Sequence, residues 1–92
     1  VACIEKDKAL GGTCLNVGCI PSKALLDSSE HYAALRHGLD GHGIKVSGVE
    51  LDLAAMMARK DKVVKTLTTG VKGLLRKHKI EHIAGSARLT SA

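Results

Sequence analysis

Apolar and polar positions follow different periods along this chain. Val1-Ala2-Cys3-Ile4 is uniformly apolar and stops at Glu5. Such a run predicts a parallel strand buried on both faces. Residues 6–10 form a charged connection, followed by Gly11-Gly12, where the backbone can pass close to a neighbour. Between Ser22 and His37, Leu25, Leu26, Ser29, Tyr32, Ala33 and Leu35 share one mainly apolar face of a helix, and Gly38 stops it. Residues 39–49 hold Gly41, Gly43 and Gly48 and read as a loop with an extended piece at 44–46.

Asp52 suits the N-cap of a second helix that runs to His78. Leu53, Met56, Met57, Val63, Val64, Leu67, Val71, Leu74 and Leu75 recur at three- and four-residue steps. Lys60, Lys62, Lys65, Lys72, Arg76 and Lys77 dress the other side and crowd the helix C-terminus, where cations are favoured. Thr68-Thr69-Gly70 predicts a kink near Gly70. Residues 80–84 and 87–90 read as short strands about Gly85-Ser86. The order places a helical pair inside an α/β domain.

Ninety-two residues make one small domain with a marginal core. Tyr32 is the lone aromatic residue, so the core rests on Leu, Val, Ile, Ala and Met. No apolar run approaches a membrane span, and no membrane partner is expected. A basic amphipathic helix without Trp or Phe on its apolar face reads as core or subunit packing. The formal net charge of +5 raises nucleic acid as a partner. Scattered basic residues with acids between them, and no aromatic platform, argue against it. Lys6, Lys8 and Lys23 are candidates to face a dinucleotide's phosphates. The chain opens inside an apolar run without a Met, so a partial chain is expected.

The chemistry concentrates in Gly11-Gly12-Thr13-Cys14-Leu15-Asn16-Val17-Gly18-Cys19-Ile20-Pro21-Ser22-Lys23. A disulfide needs Cα atoms within about 7 Å. On a regular helix an i,i+5 pair is roughly 8.5–9 Å apart. Cys14 and Cys19 can therefore bond only where the backbone departs from ideal helix. Gly18 tolerates such a departure, and Pro21 pushes Ile20 toward extended geometry. A bridge in a distorted first turn, where helix amides favour the thiolate, reads as a working redox pair. Three cysteines, an odd number, argue against a secreted disulfide framework and for a reducing compartment. Cys3, inside the apolar strand, reads as a small buried hydrophobe. His37 and His42 have no Cys or carboxylate at metal-ligand spacing, and His78 and His82 straddle a helix-to-strand change, so no metal site is expected.

Residues 11–26, ending in Ala24-Leu25-Leu26, resemble the redox-disulfide segment of the flavin-linked pyridine nucleotide-disulfide oxidoreductases, in the dihydrolipoamide dehydrogenase branch. Leu15, Ile20, Ser22 and the Ala-Leu-Leu that follows Lys23 favour this branch over relatives acting on glutathione or mercuric ion. A stand-alone thiol or metal-binding module is the remaining alternative.

The resemblance implies that residues 1–92 are part of a doubly wound, Rossmann-like FAD-binding domain with a redox-disulfide helix and a second long helix. The glycine fingerprint would precede Val1, and the NAD-binding and interface domains would be absent from this chain. FAD is the implied cofactor, with NAD bound at a site outside these residues. Glu5, nine positions before Cys14, matches the family's ribose-binding acid. Gly12 and Thr13 match contacts to the flavin nucleotide. Cys14 would be the interchange thiol, also touching the cofactor, and Cys19 the charge-transfer thiolate nearer the flavin. Lys23 would approach the flavin ring near its reactive nitrogen, and Ala87, with Gly85 beside it, the adenine part. The implied partners are the dihydrolipoyl group of a 2-oxo acid dehydrogenase complex and a second subunit, which supplies a His-Glu pair to a homodimer. None of the five histidines here matches that pair. The implied compartment is the bacterial cytoplasm or the mitochondrial matrix, and the isolated chain is expected to be inactive.

Overall fold

A computed structural model describes residues 1–92. Strand β1 (Ala2–Glu5) leads to a short helix α1 (Gly12–Asn16) and then to α2 (Cys19–Ala33). A π-helical turn (Ala34–Gly38) and a 3-10 turn (Asp40–His42) follow, then α3 (Leu53–Lys77) and β2 (Glu81–Ala84). The strands pair in parallel, with Ala2 opposite Glu81 and Glu5 opposite Ala84. The whole helical stretch is thus the crossover that a parallel pair requires. Glu81 N–H donates to the Val1 carbonyl at 3.2 Å and Gly85 N–H to the Glu5 carbonyl at 2.9 Å, extending the ladder at both ends. Both strands finish at the same sheet end, the end at which open α/β sheets bind ligands.

The strand expected at residues 1–4 forms, but it is not buried. Ile4 is 47% exposed, every residue of β2 is exposed, and only Leu10 and Ala24 are buried in the whole chain. A sheet of two strands has no third strand beside it and little over its faces, so an apolar run alone cannot bury itself. Cys3 is half-buried for the same reason.

Helix α2 starts at Cys19, three positions earlier than the apolar pattern predicts. Ile20 is helical, contrary to the expected influence of Pro21. Pro21 occupies the first turn, where a missing N–H removes no intrahelical bond. The helical path continues to Gly38 through the widened π turn.

Asp52 caps α3, its Oδ1 accepting from Ala55 N–H at 2.9 Å. The helix is continuous through Gly70. Neither Gly70 nor Gly73 has a neighbour within 4 Å of the position of a Cβ. Lys60 does not sit on the solvent side as expected. Its side chain is only 18% exposed, on the face that carries Val64 and Val71, and its Nζ pairs with Asp61. The helix ends at Lys77 with His78 as its C-cap, and Lys79 beyond it is the only non-glycine residue with positive φ (55°). His78 and Ile80 N–H donate to the Leu74 and Leu75 carbonyls, turning the chain into β2.

Two expected strands do not form. Residues 44–46 lack regular structure beyond the 3-10 turn, which Gly43 closes in a left-handed conformation. Residues 87–90 have no ladder partner after Gly85 (φ 145°) leaves the direction of β2. The chain measures 67 × 25 × 22 Å, with a radius of gyration of 19.7 Å. A compact domain of this length has about 12 Å. Leu26, Leu53, Met57, Leu67 and Leu74 accordingly remain exposed along the two long helices.

Candidate redox-disulfide site

Only Val17 and Gly18 separate α1 from α2, and the candidate chemistry spans that joint. Cys14 lies in α1 and Cys19 is the first residue of α2. They form a disulfide with Cα atoms 4.7 Å apart. A continuous helix would hold them near 8.5–9 Å, so the interruption brings them into bonding range.

Glycine makes this close turn possible. A Cβ at Gly18 would lie 3.1 Å from the Thr13 carbonyl oxygen and 3.2 Å from the Cys14 Cα. Val17 N–H donates to the Thr13 carbonyl at 2.9 Å, closing α1. Ser22 N–H donates to the Gly18 carbonyl at 3.2 Å, and Ser22 Oγ to the Cys19 carbonyl at 3.0 Å, opening α2. On the other side, Gly11 adopts φ 110° and a Cβ there would overlap the Leu15 side chain.

Asn16 ties this turn together. Its Nδ2 donates to the Leu10 carbonyl at 3.2 Å and to the Gly12 carbonyl at 2.9 Å. Leu10 is one of the two buried residues. Sequence reasoning assigned neither residue a role, although Asn four positions after Gly12 has the right reach to bond back to it.

Cys14 and Cys19 are both exposed, so the disulfide is open to a thiol from solution. Cys19 stands at the positive end of the α2 dipole. Lys23 lies one turn beyond it on the same helix face, exposed and without an ion-pair partner.

Gly12 and Thr13 line an open cleft of about 290 Å³ together with Asp7, Ala9, Asn16 and Val17. Gly12 has φ 67° and no atom within 4 Å of the position of a Cβ. Gly85 is equally open at φ 145°. Both leave room for a flat or phosphorylated group to approach the backbone, so the residues present fit a dinucleotide cofactor. Glu5 closes β1, and its Oε1 accepts from Asp7 N–H at 3.0 Å, which orients the carboxylate at the sheet end. Glu5 and Gly85 are joined through the backbone, while Ala87 lies exposed three residues past β2. The structure therefore gathers the expected residues in two places. Gly12, Thr13, Cys14, Cys19 and Lys23 lie along α1 and α2, and Glu5, Gly85 and Ala87 lie at or just beyond the sheet end.

The family model for the pyridine nucleotide-disulphide oxidoreductases matches residues 1–92. The chain belongs to that family. The paired parallel strands and the disulfide-bearing helix are a portion of its doubly wound architecture. Within it, the chain is 58% identical over 89 residues to the mitochondrial dihydrolipoyl dehydrogenase of Pisum sativum, covering 97% of this chain and 18% of that protein. It is 60% identical over 90 residues to dihydrolipoyl dehydrogenase 3 of Pseudomonas aeruginosa, covering 97% of this chain and 19% of that protein. The leghemoglobin reductase of Vigna unguiculata is 57% identical over 89 residues, 97% of this chain and 17% of its own length. The chain thus spans about a fifth of the length of these relatives. No helix is long and apolar enough to cross a membrane.

Proposed function

We propose that this chain supplies the disulfide segment of a dihydrolipoyl dehydrogenase, oxidising dihydrolipoyl groups with NAD through FAD. The observation that carries the reading is the exposed Cys14–Cys19 disulfide, bridging two helices at a glycine joint. A structural staple would be expected in a buried or otherwise unsupported place, whereas this bond faces solvent at a helix N-terminus.

The exchange balances in two steps. A dihydrolipoyl thiolate attacks the Cys14 sulfur, the Cys14–Cys19 bond breaks, and Cys19 leaves as thiolate. The second dihydrolipoyl thiolate then attacks the substrate sulfur of the mixed disulfide, closing the lipoyl ring and releasing Cys14. Two electrons enter the cysteine pair, and the substrate's two protons pass to a base or to solvent. A flavin, when bound, would supply a two-electron acceptor for the cysteine pair. Gly12, Thr13 and Lys23 would hold the flavin portion, Glu5 the ribose, and Ala87 the adenine portion.

Residues 1–92 are part of an FAD-binding domain whose other parts cover the exposed apolar faces of α2 and α3. The enzyme acts as a homodimer in the bacterial cytoplasm or mitochondrial matrix. Dihydrolipyl oxidation by the full-length protein, followed as NADH formation, tests the reading. Cys14→Ser is expected to abolish turnover while flavin stays bound. Undiminished turnover in that variant would overturn the proposal.

A further inference from the structure

Arg59, in the second turn of α3, is the one side chain that hydrogen-bonds across to α2. Its Nη1 donates to the Ala24 carbonyl at 3.2 Å and to Ser28 Oγ at 3.4 Å. Its Nη2 pairs with Asp27 Oδ2 at 3.0 Å. Every other side-chain hydrogen bond or ion pair stays within one element or its immediate flank. The grip begins five residues after Cys19 and ends nine residues after it, and Ala24 is the buried residue of α2.

We propose that Arg59 is a positioning residue for the Cys14–Cys19 pair, acting through α2. This rests on the proposed redox role of that pair. Oxidised, the disulfide itself holds α1 against α2. Reduced, the two thiols are joined only through Val17 and Gly18, a joint that departs from helix. α1 is tied to its own turn by Asn16 and packs on α3. Arg59 ties α2 to the same helix. Both thiols are then referenced to α3, which keeps their effective concentration high and favours disulfide closure. The planar guanidinium suits the task because it reaches a main-chain carbonyl, a hydroxyl and a carboxylate together.

The test is the exchange constant of the disulfide with glutathione in the full-length protein. Oxidised glutathione and the dithiol give two glutathione thiols and the disulfide, so the balance needs no other reactant. Samples equilibrated in defined glutathione buffers are acid-quenched and alkylated, and Cys14 and Cys19 are read by mass spectrometry. Arg59→Ala is expected to shift the constant toward the dithiol about tenfold, or about 30 mV for a two-electron couple. Arg59→Lys, with one compact donor group, is expected to recover part of that shift. Arg36→Ala removes a contact confined to Tyr32 of the same helical run and is expected to change nothing. If Arg59→Ala does not fold, Asp27→Asn decides, with a smaller shift in the same direction expected. An unchanged constant in folded Arg59→Ala, or in Asp27→Asn where that arm decides, overturns the positioning role alone. A wild-type disulfide inert to glutathione would overturn this role, while the proposed function is tested separately by NADH formation from dihydrolipoyl groups.

Discussion

Gly18 stands directly against Cys14, close enough that a Cβ at Gly18 would lie 3.2 Å from the Cys14 Cα. The second obstacle, the Thr13 carbonyl oxygen at 3.1 Å, is also backbone and cannot swing aside as a side-chain tip would. Gly18→Ala must therefore push α1 from α2 at the joint that the disulfide spans. A destabilisation of about 1–3 kcal/mol is expected, as for other overpacked sites. Chemical denaturation of the oxidised full-length protein measures it. The disulfide of the variant should also reduce faster than that of the wild type.

Gly11 and Gly12 are neighbours with different reasons to be glycine, and the same substitution separates them. Gly11→Ala meets both a left-handed φ and the Leu15 side chain, and is expected to cost about 1–3 kcal/mol. Gly12→Ala meets only its positive φ, so about 1 kcal/mol is expected. Its larger effect should be on cofactor, because the new methyl fills the open approach beside the cleft. Flavin content per chain and denaturation midpoint, measured on both variants, should rank oppositely.

Lys79 carries the single left-handed side-chain-bearing position, immediately after the C-cap of α3. Glycine is the residue usually found there. Lys79→Gly is expected to raise stability by about 1 kcal/mol, through relief of the Cβ contact in that conformation. A thermal or denaturant midpoint that falls would refute this account of the helix end.

Residues 1–92 expressed alone and supplied with FAD are expected to form no NADH from dihydrolipoamide and NAD. The sequence has no G-x-G-x-x-G turn to hold a pyrophosphate, and the sheet has two strands. The Cys14–Cys19 bond should still be reducible by dithiothreitol. NADH formation that disappears with Cys14→Ser would show a complete active site within these residues.

Local chemistry was readable in the linear order wherever neighbouring residues decide the outcome. The cysteine spacing, the need for a non-helical joint and glycine as its agent all concern residues within a single turn. The N-cap at Asp52 and the extent of α3 follow from the same short range, as does the strand at residues 1–4. Pro21 misled because its effect depends on where the helix begins, and Gly18 sets that point.

Tertiary structure decided what depends on distant partners. Residues 87–90 have strand-like composition but no ladder to join, and Val1-Ala2-Cys3-Ile4 has buried-strand composition but only β2 beside it. Arg59 meets Asp27 from 32 positions away, so no local spacing announces the pair. Glu5 and Gly85 meet at one sheet end only because the strands run parallel. Composition determines which residues can be buried or paired, while burial and pairing themselves require a surface that only the folded chain brings into place.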